Sequence, residues 1–450
     1  MVADAYAPGT LREPLLFKLV GIAVLVMSWV QFTGVWFWPP VRLSEWGTLS
    51  AHEGGKPGGV LFQYPLWLLI SAGSGLAVFR HGLVIVRHLW PFLGLLLIMI
   101  VASLLGLTPA ASIRITLLWM LSVLSGVVVI ALLDRQLACR VLALVILMTM
   151  LLSLLLYLLL PAHGGDYYGG ARLVLRGLFT HKNGAGRVAA IGLALLFVMR
   201  HELSRALFWT AFGITVVCLA LTDSKTGWLS AVAAIAFLQL VDHLRHRVTP
   251  SLGLVVVLGA GVLALLLAAA MAPFIADAIG RDLTFTGRTA IWSIYIDEIR
   301  NFLWLGVGPG NVTDVSPVTV KLWMRLRTHG SIFTPHSFYI ATLGDIGLPG
   351  LLYTMGLMLF LTLWLPLRDR GPFSLGAAAV GSAALLGGLG ETLDAAKPGF
   401  TWFALALFWM GYCLERYPHL SRAHMPPPRL TATPAAMGSA PSDVARATTL

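Results

Sequence analysis

The sequence predicts an all-α integral membrane protein with about 12 transmembrane helices and a large helical loop on the non-cytoplasmic side. Of its 450 residues, 58% are hydrophobic and only 11% are charged, and the mean hydropathy is +0.83. A water-soluble domain of this length needs many more charged residues to cover its surface. Apolar runs approaching the roughly 20 residues that cross a bilayer recur along almost the whole chain. These features exclude an ordinary soluble fold.

Twelve apolar runs are separated by polar gaps. The predicted spans are 15–38, 60–79, 89–106, 113–133, 138–160, 185–199, 206–222, 226–241, 252–273, 336–366, 373–390 and 399–415. The long span 336–366 contains Gly344, Gly347, Pro349 and Gly350. We therefore expect a break or kink in that helix.

Basic residues in the short loops predict the orientation, because Lys and Arg accumulate on the cytoplasmic side of membranes. With the N-terminus inside, the inner short loops carry ten Lys and Arg, and the outer ones carry only Arg114, Lys225 and Lys397. The predicted division is a cytoplasmic N-terminus (1–14), helices one to nine (15–273), a large outer loop (274–335), helices ten to twelve (336–415) and a largely disordered cytoplasmic tail (416–450).

The rest of the composition argues against several other functions. The net charge is +11, but Lys and Arg lie in the gaps between apolar runs and form no basic block, so no nucleic-acid binding is predicted. The three cysteines lie in or beside apolar runs, so no disulfide framework is expected. No zinc spacing, Walker loop or Asp-x-Asp motif occurs. We therefore expect no metal and no cofactor.

Two outer segments carry more positive charge than the predicted orientation requires. The segment before and at the start of span six contains Arg172, Arg176, Lys182 and Arg187, and loop 274–335 contains six further Lys and Arg. Long loops cross the membrane regardless of their charge, which is one explanation. The other is an anion-binding site at the outer membrane surface.

Arg288 lies in the first turn of a predicted amphipathic helix that ends near Arg300, with Thr286 as its N-cap. Arg288 and Trp292 share one face of this helix. A helix N-terminus beside an arginine suits a phosphate, and Trp292 suits a sugar or the membrane interface. The alternative is that Arg288 only caps a neighbouring helix.

Two polar turns carry further candidates. Lys225 lies in the outer hairpin 222–227, where the turn alone also explains the polar residues. The glycine-rich segment 306–310 indicates a tight turn that returns the large loop to the membrane.

His336 begins the long span after Pro335, and Asp345 follows nine residues later. An imidazole titrates near neutral pH and can accept a proton from a hydroxyl group. A carboxylate within a span is a candidate functional residue. An interfacial histidine bound to a loop carbonyl, and a structural partner for Asp345, remain the alternatives.

These residues together resemble the O-antigen ligase and polymerase superfamily. The resemblance covers about residues 177–350 and rests on five segments in order: Gly177-x-Phe179-x-x-Lys182-Asn183, Ser224-Lys225, Gly287-Arg288-x-x-x-Trp292, Gly306-x-Gly308-x-Gly310, and His336 with Asp345-x-Gly347-x-x-Gly350. This chain has Ser337 where the family usually has Asn, and Lys225 where it usually has Arg. It also has Asp345 where Glu is frequent.

The resemblance implies an inverting, metal-independent glycosyltransferase of the bacterial inner membrane with a periplasmic active site. The donor would be O-antigen on undecaprenyl diphosphate, and the acceptor a sugar hydroxyl of lipid A-core. His336 would be the base, and Arg288 and Lys225 would hold the diphosphate. The further substrate contacts would come from Arg187, Arg172, Arg176, Lys182, Asp345 and Trp292. The alternatives are an O-antigen polymerase, a protein-glycosylating relative, and a lipid-linked glycan transporter without chemistry.

Overall fold

The computed structural model describes residues 14–35, 59–168, 172–179, 181–279, 288–312, 318, 321, 335–390 and 396–416. The N-terminal segment 1–13, the tail from residue 417 and parts of the large loop therefore lie outside the described residues. Thr286, the predicted N-cap, is among them.

The described elements are mostly long apolar helices. They are α1 (Leu15–Thr33), α2 (Gly59–His88), α3 (Trp90–Leu105), α4 (Pro109–Leu132), α5 (Arg135–Leu159), α6 (Pro161–Gly164), β1 (Gly165–Tyr168), β2 (Arg172–Leu175), α7 (Lys182–Met199), α8 (Arg205–Thr222), α9 (Lys225–Leu244), α10 (Pro250–Ile279), α11 (Arg288–Ile299), α12 (Phe338–Leu359), α13 (Leu365–Arg368), α14 (Pro372–Gly387) and α15 (Phe400–Arg416). A π-helical turn, Phe360–Trp364, joins α12 to α13.

A helix overlaps each of the twelve predicted spans. Among the described residues, seven helices are long and apolar enough to cross a membrane, and α3, α14 and the first part of α10 are shorter apolar helices. The all-α membrane class is thus confirmed, while the count of twelve crossings and the outer position of the large loop stay predictions. The hairpin of β1 and β2, with Gly165 opposite Leu175, is an addition that the apolar pattern did not predict.

The centre of the bundle consists of α4, α7, α14 and α15, whose side chains are mostly buried. Helices α4 and α15 pack tightly along each other, and a Cβ atom at Gly126 would collide with the carbonyl oxygen of Phe403. Small residues allow such close helix contacts in membranes. The surrounding helices instead expose large apolar side chains, such as Phe79 and Trp209. This arrangement gives an apolar surface suited to lipid.

The predicted break in the long span is confirmed. Gly347 has φ 69° and ψ −175° inside α12, a conformation that glycine adopts readily and other residues do not. Pro349 follows within the same helix. The break opens a gap in the helical hydrogen bonding, where the backbone of the large loop binds.

Candidate functional site

The start of α7 is tied to the β hairpin by His181. Its Nδ1 atom accepts a hydrogen bond from the Asn183 backbone N–H at 3.2 Å, and its Nε2 atom lies 3.7 Å from Oδ2 of Asp166. Because Nδ1 is the acceptor, the proton of the neutral ring lies on Nε2, toward the carboxylate. The hairpin therefore fixes the first turn of α7, which carries Lys182 and Asn183.

Arg187 lies one turn further along α7 and lines a small pocket. The pocket is formed by Asn183, Arg187, Ala190, Ser224, Thr226, Gly227, Ser230, Ala383 and Gly387. Ser224 is the N-cap of α9 and accepts a hydrogen bond from the Gly227 backbone N–H at 3.2 Å. The pocket thus combines a guanidinium group, several hydroxyl groups and the positive end of α9, a combination that suits an anion. We call these nine residues the outer pocket, after the side of the membrane that the predicted orientation gives them.

The other basic residues near this pocket differ in exposure. Arg176 is 1% exposed and donates a hydrogen bond to the carbonyl oxygen of His163 at 2.6 Å. Burial lowers its pKa from the ordinary value, and nearby Asp166 opposes this shift. Lys182 is also buried.

Arg172 and Lys225 are exposed, and Arg172 lies 3.9 Å from Oδ2 of Asp223. An approaching ligand therefore meets Arg172 and Lys225 before Arg176 and Lys182.

His336 lies just before α12, with a left-handed backbone of φ 46°. The sequence predicted that the helix begins at His336, but it begins at Phe338 with Ser337 as its N-cap. A left-handed conformation costs a residue other than glycine roughly 1–2 kcal/mol. Such strain persists where the surrounding structure enforces it, and it is frequent at functional sites.

Two hydrogen bonds fix the chain on either side of His336. The indole N–H of Trp292 donates to the carbonyl oxygen of Pro335 at 2.8 Å, and the backbone N–H of Phe338 donates to the carbonyl oxygen of Gly388 at 2.9 Å. In this structure Trp292 therefore holds the His336 segment, a contact that the sequence did not predict. Its predicted role in substrate binding stays a prediction.

The end of α14 connects His336 with the outer pocket. Gly387 lines the pocket beside Arg187, and the next residue, Gly388, binds the backbone of Phe338. The candidate base and the candidate anion site therefore share one end of α14. These glycines were not predicted as part of the site, although two consecutive glycines at the end of an apolar run are a visible signal.

Arg288 is the first residue of α11, and its side chain lies outside the described part of the structure. Its backbone lies one helical turn before Trp292, which contacts Pro335. Helix α11 packs on α12 through a second apolar cluster that includes Ile291, Tyr295 and Ile299. The backbone of Arg288 is thereby fixed to the element that carries His336.

Asp345 is fully buried at the break in α12. Its Oδ1 atom accepts a hydrogen bond from the Val312 backbone N–H at 2.9 Å, and its carbonyl oxygen accepts one from Gly308 at 3.0 Å. Burial, and secondarily the charge of Asp345, raises the pKa of the Tyr295 hydroxyl. Asp345 thus binds the backbone of the glycine-rich turn, and its predicted orientation of His336 stays a prediction.

The turn at 306–310 has positive φ angles at Gly306, Gly308 and Gly310. It lies between the break in α12 and the loop that joins α3 to α4, where the Leu107 N–H donates to the Val307 carbonyl oxygen at 2.9 Å. The turn therefore docks the large loop onto the helical bundle, and the predicted return of the loop to the membrane stays a prediction.

Asn311 completes this docking and was missed by the sequence analysis. Its Oδ1 atom accepts from the Thr108 hydroxyl at 2.6 Å, and its Nδ2 atom donates to Ser112 Oγ at 3.1 Å and to the Val307 carbonyl oxygen at 2.8 Å. It is 3% exposed. Nothing in the local sequence shows that Asn311 contacts a loop about 200 residues away.

Residues 206–355 match the family model described as O-antigen ligase. The matched segment is about a third of the chain and contains Lys225, Arg288, Trp292, His336 and Asp345. No curated protein matches the chain. The family match confirms the resemblance to the O-antigen ligase superfamily, within which it does not separate ligases from polymerases.

Proposed function

Because residues 206–355 match the O-antigen ligase family, we propose that this chain is a lipopolysaccharide-forming glycosyltransferase. It transfers O-antigen from undecaprenyl diphosphate to a sugar hydroxyl of lipid A-core. The reaction takes place at the periplasmic face of the inner membrane, inverts the anomeric carbon and needs no metal ion. Both lipid-bearing substrates reach the enzyme within the membrane.

The positive side chains near the outer pocket support the donor assignment. When the glycosidic bond breaks, negative charge accumulates on the diphosphate leaving group, and fixed positive charge stabilises it. Arg187 and Lys225, with Arg288 on α11, are the groups proposed to supply that charge. Arg172, Arg176 and Lys182 are further proposed contacts for phosphate or sugar.

His336 is the proposed general base. Its imidazole takes the proton of the acceptor hydroxyl as the hydroxyl oxygen attacks the anomeric carbon. The bond from that carbon to the diphosphate oxygen breaks on the opposite side, and undecaprenyl diphosphate leaves with the bonding electrons. Attack opposite the leaving group inverts the anomeric configuration.

One observation carries this proposal: the strained His336 segment and the Arg187 pocket meet at the same end of α14. Trp292 and Gly388 hold the residues on either side of His336, and Gly387 lines the pocket. An orientation-dependent reaction requires a base and an anion site fixed relative to each other.

The proposal is tested by mixing purified protein with undecaprenyl-diphosphate-linked O-antigen and lipid A-core in the presence of EDTA. We expect a ladder of products on a gel that survives chelation. His336→Asn should lower the rate by about 10²–10⁴-fold, the usual contribution of a general base, and Arg288→Ala should also lower it. Asn tolerates the left-handed backbone, so this variant removes the imidazole with little effect on the loop. Exposed His201 and Arg247 provide matched controls, as His201→Ala and Arg247→Ala.

Other products would assign a different function. Lengthening of the lipid-linked donor without a lipid A-core product would identify a polymerase. A wild-type rate in folded His336→Asn would rule out the base assignment. If neither product forms, while the protein moves the lipid-linked glycan across proteoliposomes, the enzyme proposal is wrong.

A further inference from the structure

A short apolar segment, residues 302–305, follows α11. Phe302, Leu303, Trp304 and Leu305 expose 37%, 38%, 74% and 44% of their surface, respectively. Removing a large apolar side chain from water is favourable. Four consecutive exposed residues of this kind mark an interaction surface for a membrane or a protein.

The backbone of this segment is suited to apolar surroundings. The N–H of Gly306 donates to the carbonyl oxygen of Phe302 at 2.7 Å, and the N–H of Leu348 donates to the carbonyl oxygen of Leu303 at 2.7 Å. In hydrocarbon, a backbone group without a hydrogen bond costs several kcal/mol. These bonds satisfy the two carbonyl groups without water.

The expected height of the segment in the membrane follows from α3, because Leu107, just after this helix, donates its backbone N–H to the carbonyl oxygen of the neighbouring Val307. Helix α3 has only 16 residues and is therefore about 24 Å long at 1.5 Å per residue. The hydrocarbon core is about 30 Å thick. When α3 begins at the cytoplasmic edge of this core, it is too short to extend beyond the opposite edge. Its C-terminal end therefore lies inside the core or at that opposite edge. Residues 302–305 lie close to that level.

The segment also continues the lipid-facing surface of the bundle. Leu104 and Leu105 at the outer end of α3 are 57% and 66% exposed, and Leu352 in α12 is 63% exposed. Leu303 is bound to α12 through Leu348. Arg300 precedes the segment with a side chain that is 67% exposed. An arginine followed by aromatic and aliphatic residues is typical of a membrane interface.

We propose that residues 302–305 insert into the outer leaflet of the membrane and anchor the large loop there. Trp304, the most exposed of the four, enters the boundary between head groups and acyl chains. Because only a short 3-10 turn, Arg300–Phe302, joins α11 to the segment, its insertion sets the height of α11, and so of Arg288, above the bilayer. This anchoring does not depend on the proposed glycan transfer.

Site-directed spin labelling in proteoliposomes tests the insertion. The native cysteines Cys139, Cys218 and Cys413 are buried, so a nitroxide reagent should favour an introduced, exposed cysteine. Trp304→Cys is the test variant, and the unsubstituted protein measures background labelling. Leu97→Cys on the exposed face of α3 is the lipid reference. His246→Cys, with a half-exposed side chain in the loop after α9, is the aqueous reference.

We expect the label at residue 304 to collide more often with oxygen, which dissolves in lipid, than with a water-soluble nickel chelate, as at residue 97. Preference for the nickel chelate, as at residue 246, would overturn the proposal. Protection from both reagents would also overturn it, because the segment would then be covered by protein. Phe302→Cys and Leu305→Cys give the same measurement if Trp304→Cys does not fold.

Discussion

Two groups of residues at opposite ends of the bundle hold an arginine in different ways. At the end predicted to face the cytoplasm, Arg135 lies 3.1 Å from Glu202 and 2.8 Å from Glu415, and these three residues form what we call the inner cluster. In the outer pocket, Arg187 has no ion-pair partner among the described residues. It is surrounded instead by hydroxyl groups and the start of α9.

The difference separates a structural arginine from one that suits a ligand. The inner cluster joins the start of α5, the loop after α7 and the end of α15, and its two carboxylates neutralise the positive charge of Arg135 within the protein. The positive charge of Arg187 is not neutralised by a described carboxylate. An anionic ligand supplies the missing charge and forms charge-assisted hydrogen bonds. The inner cluster thus serves the fold, and the outer pocket suits binding.

Within this comparison, the largest effect is expected when each of the two arginines is separately replaced by glutamine. Arg187→Gln should lower glycan transfer by about 10–100-fold, because a hydrogen bond to a charged group contributes roughly 1.5–3 kcal/mol. Its melting temperature without donor should stay near the wild-type value. Transfer assays and thermal unfolding in detergent measure both quantities.

Arg135→Gln is the matched control, and its expected pattern is the reverse. The substitution leaves Glu202 and Glu415 without their shared cation and lowers the free energy of unfolding. The loss should be on the order of 1 kcal/mol, because the side chains are partly exposed to solvent. Transfer below the melting temperature should stay near wild type. If Arg187→Gln destabilised the protein and left transfer intact, our comparison of the two arginines would be wrong.

The next effect concerns the turn that docks the large loop. Asn311→Ala removes three side-chain hydrogen bonds and leaves buried partners unpaired, so the free energy of unfolding should fall by about 2–3 kcal/mol. Transfer should fall by about tenfold, because α11 and the His336 segment shift relative to each other. Both are measured at a temperature where the variant is fully folded.

Thr149→Val provides the control for Asn311. It removes one buried hydrogen bond, from the Trp29 indole at 2.9 Å, in the apolar part of the bundle. We expect a loss of about 1 kcal/mol in unfolding free energy and an unchanged rate of transfer. Equal losses of transfer in both variants would show that stability alone, and not the docked turn, determines activity.

The sequence predicted features that depend on local composition. Gly347 and Pro349 predicted the break in α12, whereas the anion site inferred from the excess of basic residues around Arg187 stays a prediction. The contacts of Trp292 with Pro335, and of Asn311 with Thr108, could not be predicted. Each joins residues distant in the chain, and the side chains involved have several equally ordinary alternatives. The left-handed backbone of His336 likewise depends on the hydrogen bonds on both sides of it.

The smallest expected effect concerns Lys225, which is exposed at the start of α9 and lacks an ion-pair partner among the described residues. An arginine there would bind a phosphate through two parallel hydrogen bonds, whereas lysine acts as a point charge. Lys225→Arg should therefore lower the KM for the lipid-linked donor by roughly twofold to fivefold, with kcat unchanged, and Lys225→Gln should raise it.

Lys18→Arg makes the same exchange at the inner end, where Lys18 lies 3.9 Å from Asp134, and it should alter neither constant. Steady-state kinetics with varied donor concentration separates the two cases. A donor KM that responds equally to Lys18→Arg and to Lys225→Arg would contradict a direct contact between Lys225 and the donor. A response at Lys225 alone would show that the donor diphosphate lies within reach of α9, in the part of the bundle where Arg187 also has no carboxylate partner among the described residues.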